Sequence, residues 1–139
     1  MNIRQAKKTD LHNILKFMGL KQVSRKDWHV PSKQFVLSYI TNKHNFFIIS
    51  LEDHKVVGTI NGELWNDKGF AYIGEVIAKG KNKQKIIDAM YLYFVNFCKK
   101  KGVTLINTYV KKSKEKQIKT YKDLGMKKRG EYFSYEKRI

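Results

Sequence analysis

The chain has 139 residues, enough for one domain with a single buried core and too few for two complete ones. Hydrophobic residues make up 42% and aromatic residues 13%, which excludes a mainly disordered chain, and one cysteine, Cys98, excludes an intramolecular disulfide framework and suits a reducing, cytoplasmic setting. The formal net charge of +17 is uneven: residues 1–78 carry 11 basic and 7 acidic side chains, residues 79–139 carry 18 and 5. Such a field concentrates polyanions such as nucleic acid, anionic lipid or phosphorylated cofactors, although a lysine-rich surface serving solubility alone has the same composition.

The first ten residues hold no apolar run of signal-peptide length, and the longest apolar runs, such as 46–49, are far too short to span a bilayer. Export and membrane insertion are therefore not expected. No internal repeat or Pro/Gly/Ser linker divides the chain, so 1–139 reads as one domain.

In chain order, Ile3–Ala6 reads as a short strand. Thr9 is then placed to cap a helix whose apolar face is Leu11, Ile14, Leu15 and Met18, with Gly19 as its stop. Residues 20–30 are polar and irregular. Pro31 and Ser32 suit the start of a second helix, in which Phe35, Val36, Tyr39 and Ile40 recur at helical period.

Three strand-like runs follow: Asn45–Leu51, Val56–Trp65 and Phe70–Ala78. Turn-like residues separate them, which implies an antiparallel meander. After a basic loop, Lys79–Lys85, the apolar positions from Ile86 to Cys98 trace a long helix. It ends at Lys99, Lys100, Lys101 and Gly102, as the macrodipole and a left-handed cap favour. Val103–Val110 reads as a strand, Lys114–Leu124 as a shorter helix closed by Gly125, and Arg129–Lys137 as a last strand. The order β-α-α-β-β-β-α-β-α-β predicts an α/β fold with a mixed sheet and helices on its faces.

This order, over nearly the whole chain, resembles the GNAT family of N-acetyltransferases. The most specific local likeness is Tyr121-Lys122-Asp123-Leu124-Gly125-Met126, similar to the family's Tyr-x-x-Leu-Gly-Phe segment, with Ile118 at the preceding apolar position. The resemblance implies transfer of acetyl from acetyl-CoA to an amine. It places the coenzyme-binding loop and helix start at Asn82, Lys83, Gln84, Lys85, Ile86 and Ile87, and the aligning strand amides near Ile77. The family's motif there carries glycines and this sequence has none. Cβ atoms at Lys85 and Ile87 obstruct close approach of a ligand to the backbone or force another loop path. Lys79, Lys81, Lys83 and Lys85 are then either ammonium groups holding phosphates in place of part of that cradle, or an ordinary solvated loop.

The resemblance also makes Tyr121 the candidate general acid for the departing thiolate, a phenol being protonated at pH 7. The plainer alternative is a tyrosine that packs its helix. Glu75, the one carboxylate of its strand, is the candidate general base, and burial would raise its pKa to suit that work. An outward-facing strand residue is the other reading of Glu75, and Glu63 is the second choice of base. Trp28 and His29 fall where the family's acceptor-binding loop would lie. His12, His29, His44 and His54 lack the spacing of metal ligands, so no metal is expected. Cys98 lies on the apolar stripe of its helix and reads as core.

The functional expectation is thus an N-acetyltransferase acting on a small-molecule or protein amine. By charge alone, a basic surface disfavours a polycationic acceptor and favours an acidic protein, a nucleotide or an RNA-linked amine. The rival expectation is an inactive GNAT-like module that binds nucleic acid or an acidic protein through the lysine-rich C-terminal half.

Overall fold

A computed structural model describes residues 1–19 and 33–139. Its elements are β1 (Asn2–Gln5), α1 (Leu11–Met18), α2 (Lys33–Thr41), β2 (Asn45–Glu52), β3 (Lys55–Trp65), β4 (Phe70–Ala78), α3 (Lys83–Lys100), β5 (Leu105–Thr108) and α4 (Glu115–Asp123). The chain forms two compact units, Met1–Tyr109 and Val110–Ile139.

In the first unit the strands lie in sequence order, β1-β2-β3-β4-β5. The first four are antiparallel, and β5 joins β4 in parallel after the α3 crossover. The predicted meander and mixed sheet are therefore present. Tight turns set the antiparallel part, and a parallel neighbour requires a long connection of the kind α3 supplies.

Alternation along the strands gives the sheet two apolar faces. On one, Phe47, Ile49 and Val56 pack with Ile14 and Phe17 of α1 and Val36 of α2, and Ile77 adds to this cluster. On the other lies α3, whose buried residues Ile86, Met90, Phe94 and Cys98 recur every fourth position. Each such side chain contributes about 2 kcal/mol of burial. Phe94 stacks on Phe46 at 4.6 Å between ring centroids, and α3 lies so close to β3 that a Cβ at Gly58 would come within 2.7 Å of Ile86. Cys98 is buried in this layer, and burial pushes its thiol up to about 12, which leaves it unreactive at neutral pH.

Helix ends follow the sequence signals at Gly19 (φ 68°) and Gly102 (φ 78°), both in the left-handed conformation that glycine adopts without strain. The start of α1 differs from expectation. Thr9 is not its cap but lies in a short 3-10 turn, Lys8–Asp10, where the Asp10 carboxylate accepts the Lys7 backbone N–H at 2.7 Å. The Arg4 guanidinium donates to both Asp10 oxygens, at 2.7 and 2.8 Å. A bidentate, charge-assisted pair outcompetes a threonine hydroxyl for organising the turn.

The second unit contains α4, followed by Gly125 at φ 85° with the Met126 N–H bonded to the Tyr121 carbonyl. The strand expected over Arg129–Lys137 does not form; residues 126–139 have no regular structure. Its alternation is poor, because Tyr132 falls on the side opposite to Phe133 and Tyr135, and all three rings are exposed. A segment without one consistently apolar face gains little by joining a sheet.

Candidate active site

The site is built around an irregularity between β3 and β4. Asn61 pairs with Glu75 but Gly62 pairs with Ile73, so Gly74 is left over as a β-bulge. This extra residue inverts the alternation of β4. Ala71 and Ile73 are buried toward α3, and uninterrupted alternation would have sent Glu75 after them. The bulge brings Glu75 instead onto the α1/α2 face, beside Asn61 and on the same side as Glu63 and Tyr72.

Two close approaches hold the bulge. A Cβ on Gly62 would lie 1.9 Å from the Tyr72 carbonyl oxygen, and one on Gly74 would lie 3.2 Å from Asn61 Oδ1. Only glycine fits at Gly62.

The pairing of β4 with β5 stops at Ile73 and Thr108, where the Thr108 hydroxyl donates to the Ile73 carbonyl at 2.9 Å. Among the described residues, no strand pairs with β4 on that side over Gly74–Ala78. Beside Glu75 and Ile77, that edge of β4 therefore carries main-chain groups that no described strand takes up.

Glu75 is half-buried. Burial pushes its carboxyl above the usual carboxylate range, while hydrogen bonding to the buried Asn61 amide opposes part of that rise. Around it, Trp65 Nε1–H donates to Glu63 Oε2 at 3.0 Å, and the Trp65 ring stacks on His44 at 5.0 Å. Tyr72 meets Tyr109 at 5.5 Å between centroids. Tyr39 of α2 completes the wall: burial raises its phenol pKa first, and the charges of Glu63, Tyr72 and Glu75 raise it further. Sequence reasoning singled out Glu75 and Glu63 but missed Tyr39 and Tyr72, which helical and strand patterns mark only as apolar positions.

On the opposite face, beyond β4, Asn82 precedes α3 and the helix begins at Lys83. The amides of the first helical turn have no intrahelical partner and carry the positive end of the macrodipole. Lys83, Gln84 and Lys85 are exposed there, and Ile87 is partly buried. Gln84 donates to Asp88 at 2.9 Å, and the Ile86 N–H is taken by the Asn82 carbonyl at 3.0 Å. The Ile86 side chain is buried under the sheet, so at this position a ligand finds neither a free side chain nor a free amide.

Of the four loop lysines, Lys79 has other work. Its ammonium bonds the Phe17 carbonyl at the end of α1 and lies 4.7 Å from the Phe17 ring centroid. The remaining three, with the free amides of Lys83, Gln84 and Lys85, form a donor set that fits a pyrophosphate-bearing coenzyme. The Lys83, Gln84 and Lys85 side chains are exposed at the helix start, and Lys85 and Ile87 keep the Cβ atoms that the family's glycines lack.

Tyr121 is buried within α4 of the second unit. Trp28 and His29 lie outside the described residues. Among the described residues no group of three or more His, Cys, Asp or Glu could hold a metal, and no helix is long and apolar enough to cross a membrane.

Comparison with known proteins decides the family. The model of the acetyltransferase (GNAT) domain matches residues 3–137. This chain belongs to the GNAT acetyltransferase family.

Solved GNAT-fold structures align along the whole length. An aminoglycoside 6′-N-acetyltransferase from Acinetobacter haemolyticus superposes with a TM-score of 0.78 at 14% identity, covering 100% of this chain and 99% of its own. An aminoglycoside N-acetyltransferase in complex with CoA gives 0.75 at 16%, covering 99% and 100%. An aminoglycoside acetyltransferase from an uncultured soil metagenomic sample, bound to sisomicin, gives 0.75 at 14%, covering 99% and 96%. Likeness at these identities is a likeness of fold. No curated protein matches the chain.

Proposed function

We propose that residues 1–139 act as one acyltransferase domain, cytoplasmic, that moves an acetyl group from acetyl-CoA to an amine of a small-molecule acceptor. The observation that carries this reading is the bulge at Gly74 coinciding with the end of β4–β5 pairing at Ile73 and Thr108. Together they put a half-buried carboxylate beside a strand edge that no described strand covers, on the strand that leads into α3.

Acetyl-CoA would supply the activated acetyl group as a thioester. The amides of Lys83, Gln84 and Lys85, with the Lys83 and Lys85 ammonium groups, would hold its pyrophosphate, and the open edge near Ile77 would bond its arm. Glu75 would take a proton from the acceptor ammonium, directly or through one water, so that a neutral amine attacks; its raised pKa suits this task. Tyr121 would return a proton to the departing thiolate. Orientation of the two substrates beside that edge would supply much of the rate.

The charge of the site differs from that of the chain. Glu63 and Glu75 put two carboxyl groups on the acceptor side, and neither forms an ion pair with a described lysine or arginine. This supports an amine-bearing acceptor, and neither the site nor the comparisons support an acidic protein or nucleic acid there.

The test is calorimetric titration of acetyl-CoA at moderate and high salt, with inorganic polyphosphate as a control for bare charge, followed by an amine screen. Saturable, salt-tolerant binding and acetylation of an amine are expected. Binding that polyphosphate equals and salt abolishes would overturn the reading in favour of a basic interaction module.

A further inference from the structure

The carboxylate that the reaction uses is not alone on its face. Register places Glu63 opposite Tyr72 and Asn61 opposite Glu75, so Glu63 and Glu75 are diagonal neighbours on one side of the β3–β4 ladder. In a regular ladder diagonal neighbours sit about 7–8 Å apart, and here the extra residue Gly74 is inserted between the two pairs. Glu63 is partly buried, and one of its oxygens is held by the Trp65 indole at 3.0 Å. A carboxylate has about four lone-pair sites, so that single donor fixes its orientation and leaves most of its accepting capacity unused.

The surroundings are aromatic. Tyr39 comes from α2, within reach of the charges of both glutamates, and Tyr72 stands directly across from Glu63. Ring faces together with a fixed carboxylate attract a protonated amine by cation–π and charge-assisted contacts. In a chain with 29 basic residues, no described lysine or arginine pairs with either glutamate.

We propose that Glu63, with Tyr39 and Tyr72, forms a recognition subsite for a second cationic nitrogen of the acceptor, so that the preferred acceptors are small molecules carrying two amines several ångströms apart. One amine lies at Glu75 and is acetylated; the other remains protonated at Glu63 and is not consumed. The inference rests on the acyl-transfer reading for its first amine, while the subsite itself can be read by binding alone.

The experiment compares 1,5-diaminopentane with pentylamine, using the full chain in the presence of CoA for calorimetric binding and of acetyl-CoA for turnover. The unchanged protein is expected to bind the diamine roughly tenfold or more tightly, the ratio that one charge-assisted contact supports. Glu63→Gln should bring the ratio close to one, with the loss appearing in KM for the diamine more than in kcat. Tyr39→Phe, which keeps the ring, should retain most of the preference, and Tyr39→Ala should lose part of it. Equal affinity of the unchanged protein for both amines overturns the subsite, as does a Glu63→Gln variant that keeps the preference. Because the first comparison needs no variant, a misfolded Glu63→Gln protein leaves the proposal decidable. Tight diamine binding without acetylation of either amine would overturn the transfer reading and leave the subsite standing; indiscriminate acetylation would do the reverse.

Discussion

Asn61 and Glu75 face each other across β3 and β4 at the last pair before the register shifts at Gly74. Their pairing places a buried amide against a half-buried carboxylate and turns that carboxylate toward α1 and α2. Hydrogen bonding from Asn61 favours the charged form, burial favours the neutral one, and burial dominates.

A base must be deprotonated to work, so kcat/KM should rise with pH through the Glu75 pKa, which lies above the ordinary value of 4.5. The acid limb of the pH profile is therefore expected above that of an exposed glutamate. Glu75→Gln should remove the limb and lower kcat by about 10²–10⁴-fold. A pH–rate profile of the two proteins checks this, and an unchanged limb in the variant would take Glu75 out of the reaction.

Tyr121→Phe keeps the ring and removes the proton. It should lower kcat by roughly 10²-fold or more, leaving calorimetric affinity for acetyl-CoA within about twofold. Turnover equal to that of the unchanged protein would reduce Tyr121 to a packing residue.

The loop lysines should separate into two classes. Lys83→Ala with Lys85→Ala should weaken acetyl-CoA binding by roughly tenfold, through loss of point charges at the start of α3. Lys79→Met should instead lower the melting temperature by a few degrees, since its ammonium bonds the Phe17 carbonyl and covers the Phe17 ring. Coenzyme affinity that falls with Lys79→Met and holds in the double variant would reverse the assignment.

Asp10→Asn should cost about 1–2 kcal/mol, because it removes the charge that Arg4 grips with two bonds and weakens the acceptor of the Lys7 amide. Arg4 holds the Asp10 carboxyl below its ordinary value of 3.8, burial opposing. A depressed folded pKa stabilises above the unfolded value, and that contribution is lost as pH falls through the folded one. Denaturant melts of both proteins should therefore differ at neutral pH and converge in strong acid.

Gly62→Ala tests the bulge. The added Cβ would meet the Tyr72 carbonyl at 1.9 Å, and backbone cannot swing aside as a side-chain end can. A loss of more than about 3 kcal/mol, or failure to fold, is expected on thermal denaturation. A variant as stable as the parent would mean that the β3–β4 register is not held by this contact.

Much of the architecture was legible in the chain itself. The stripe from Ile86 to Cys98, the lysines and Gly102 beyond it, and the turns between β2, β3 and β4 are local signals, and each element formed close to where its pattern lay. The same reasoning failed at Arg129–Lys137, where aromatic residues on both sides of the alternation offered no single apolar face. It also failed at Thr9, where a good capping residue lost to an aspartate already gripped by Arg4.

The sequence by itself determined the periodicities, the helix stops at Gly19 and Gly102, the excess of positive charge and the Tyr121–Met126 likeness, because each depends only on residues close together in the chain. Tertiary structure alone decided which face Glu75 occupies, that Glu63, Tyr39 and Tyr72 share it, and that Lys79 serves Phe17, 62 positions away. The reason is that strand side chains alternate with period two, so one unpaired residue at Gly74 reverses every assignment after it. That residue is set by the close approach of β3 to β4 at Gly62, a contact that no local pattern encodes.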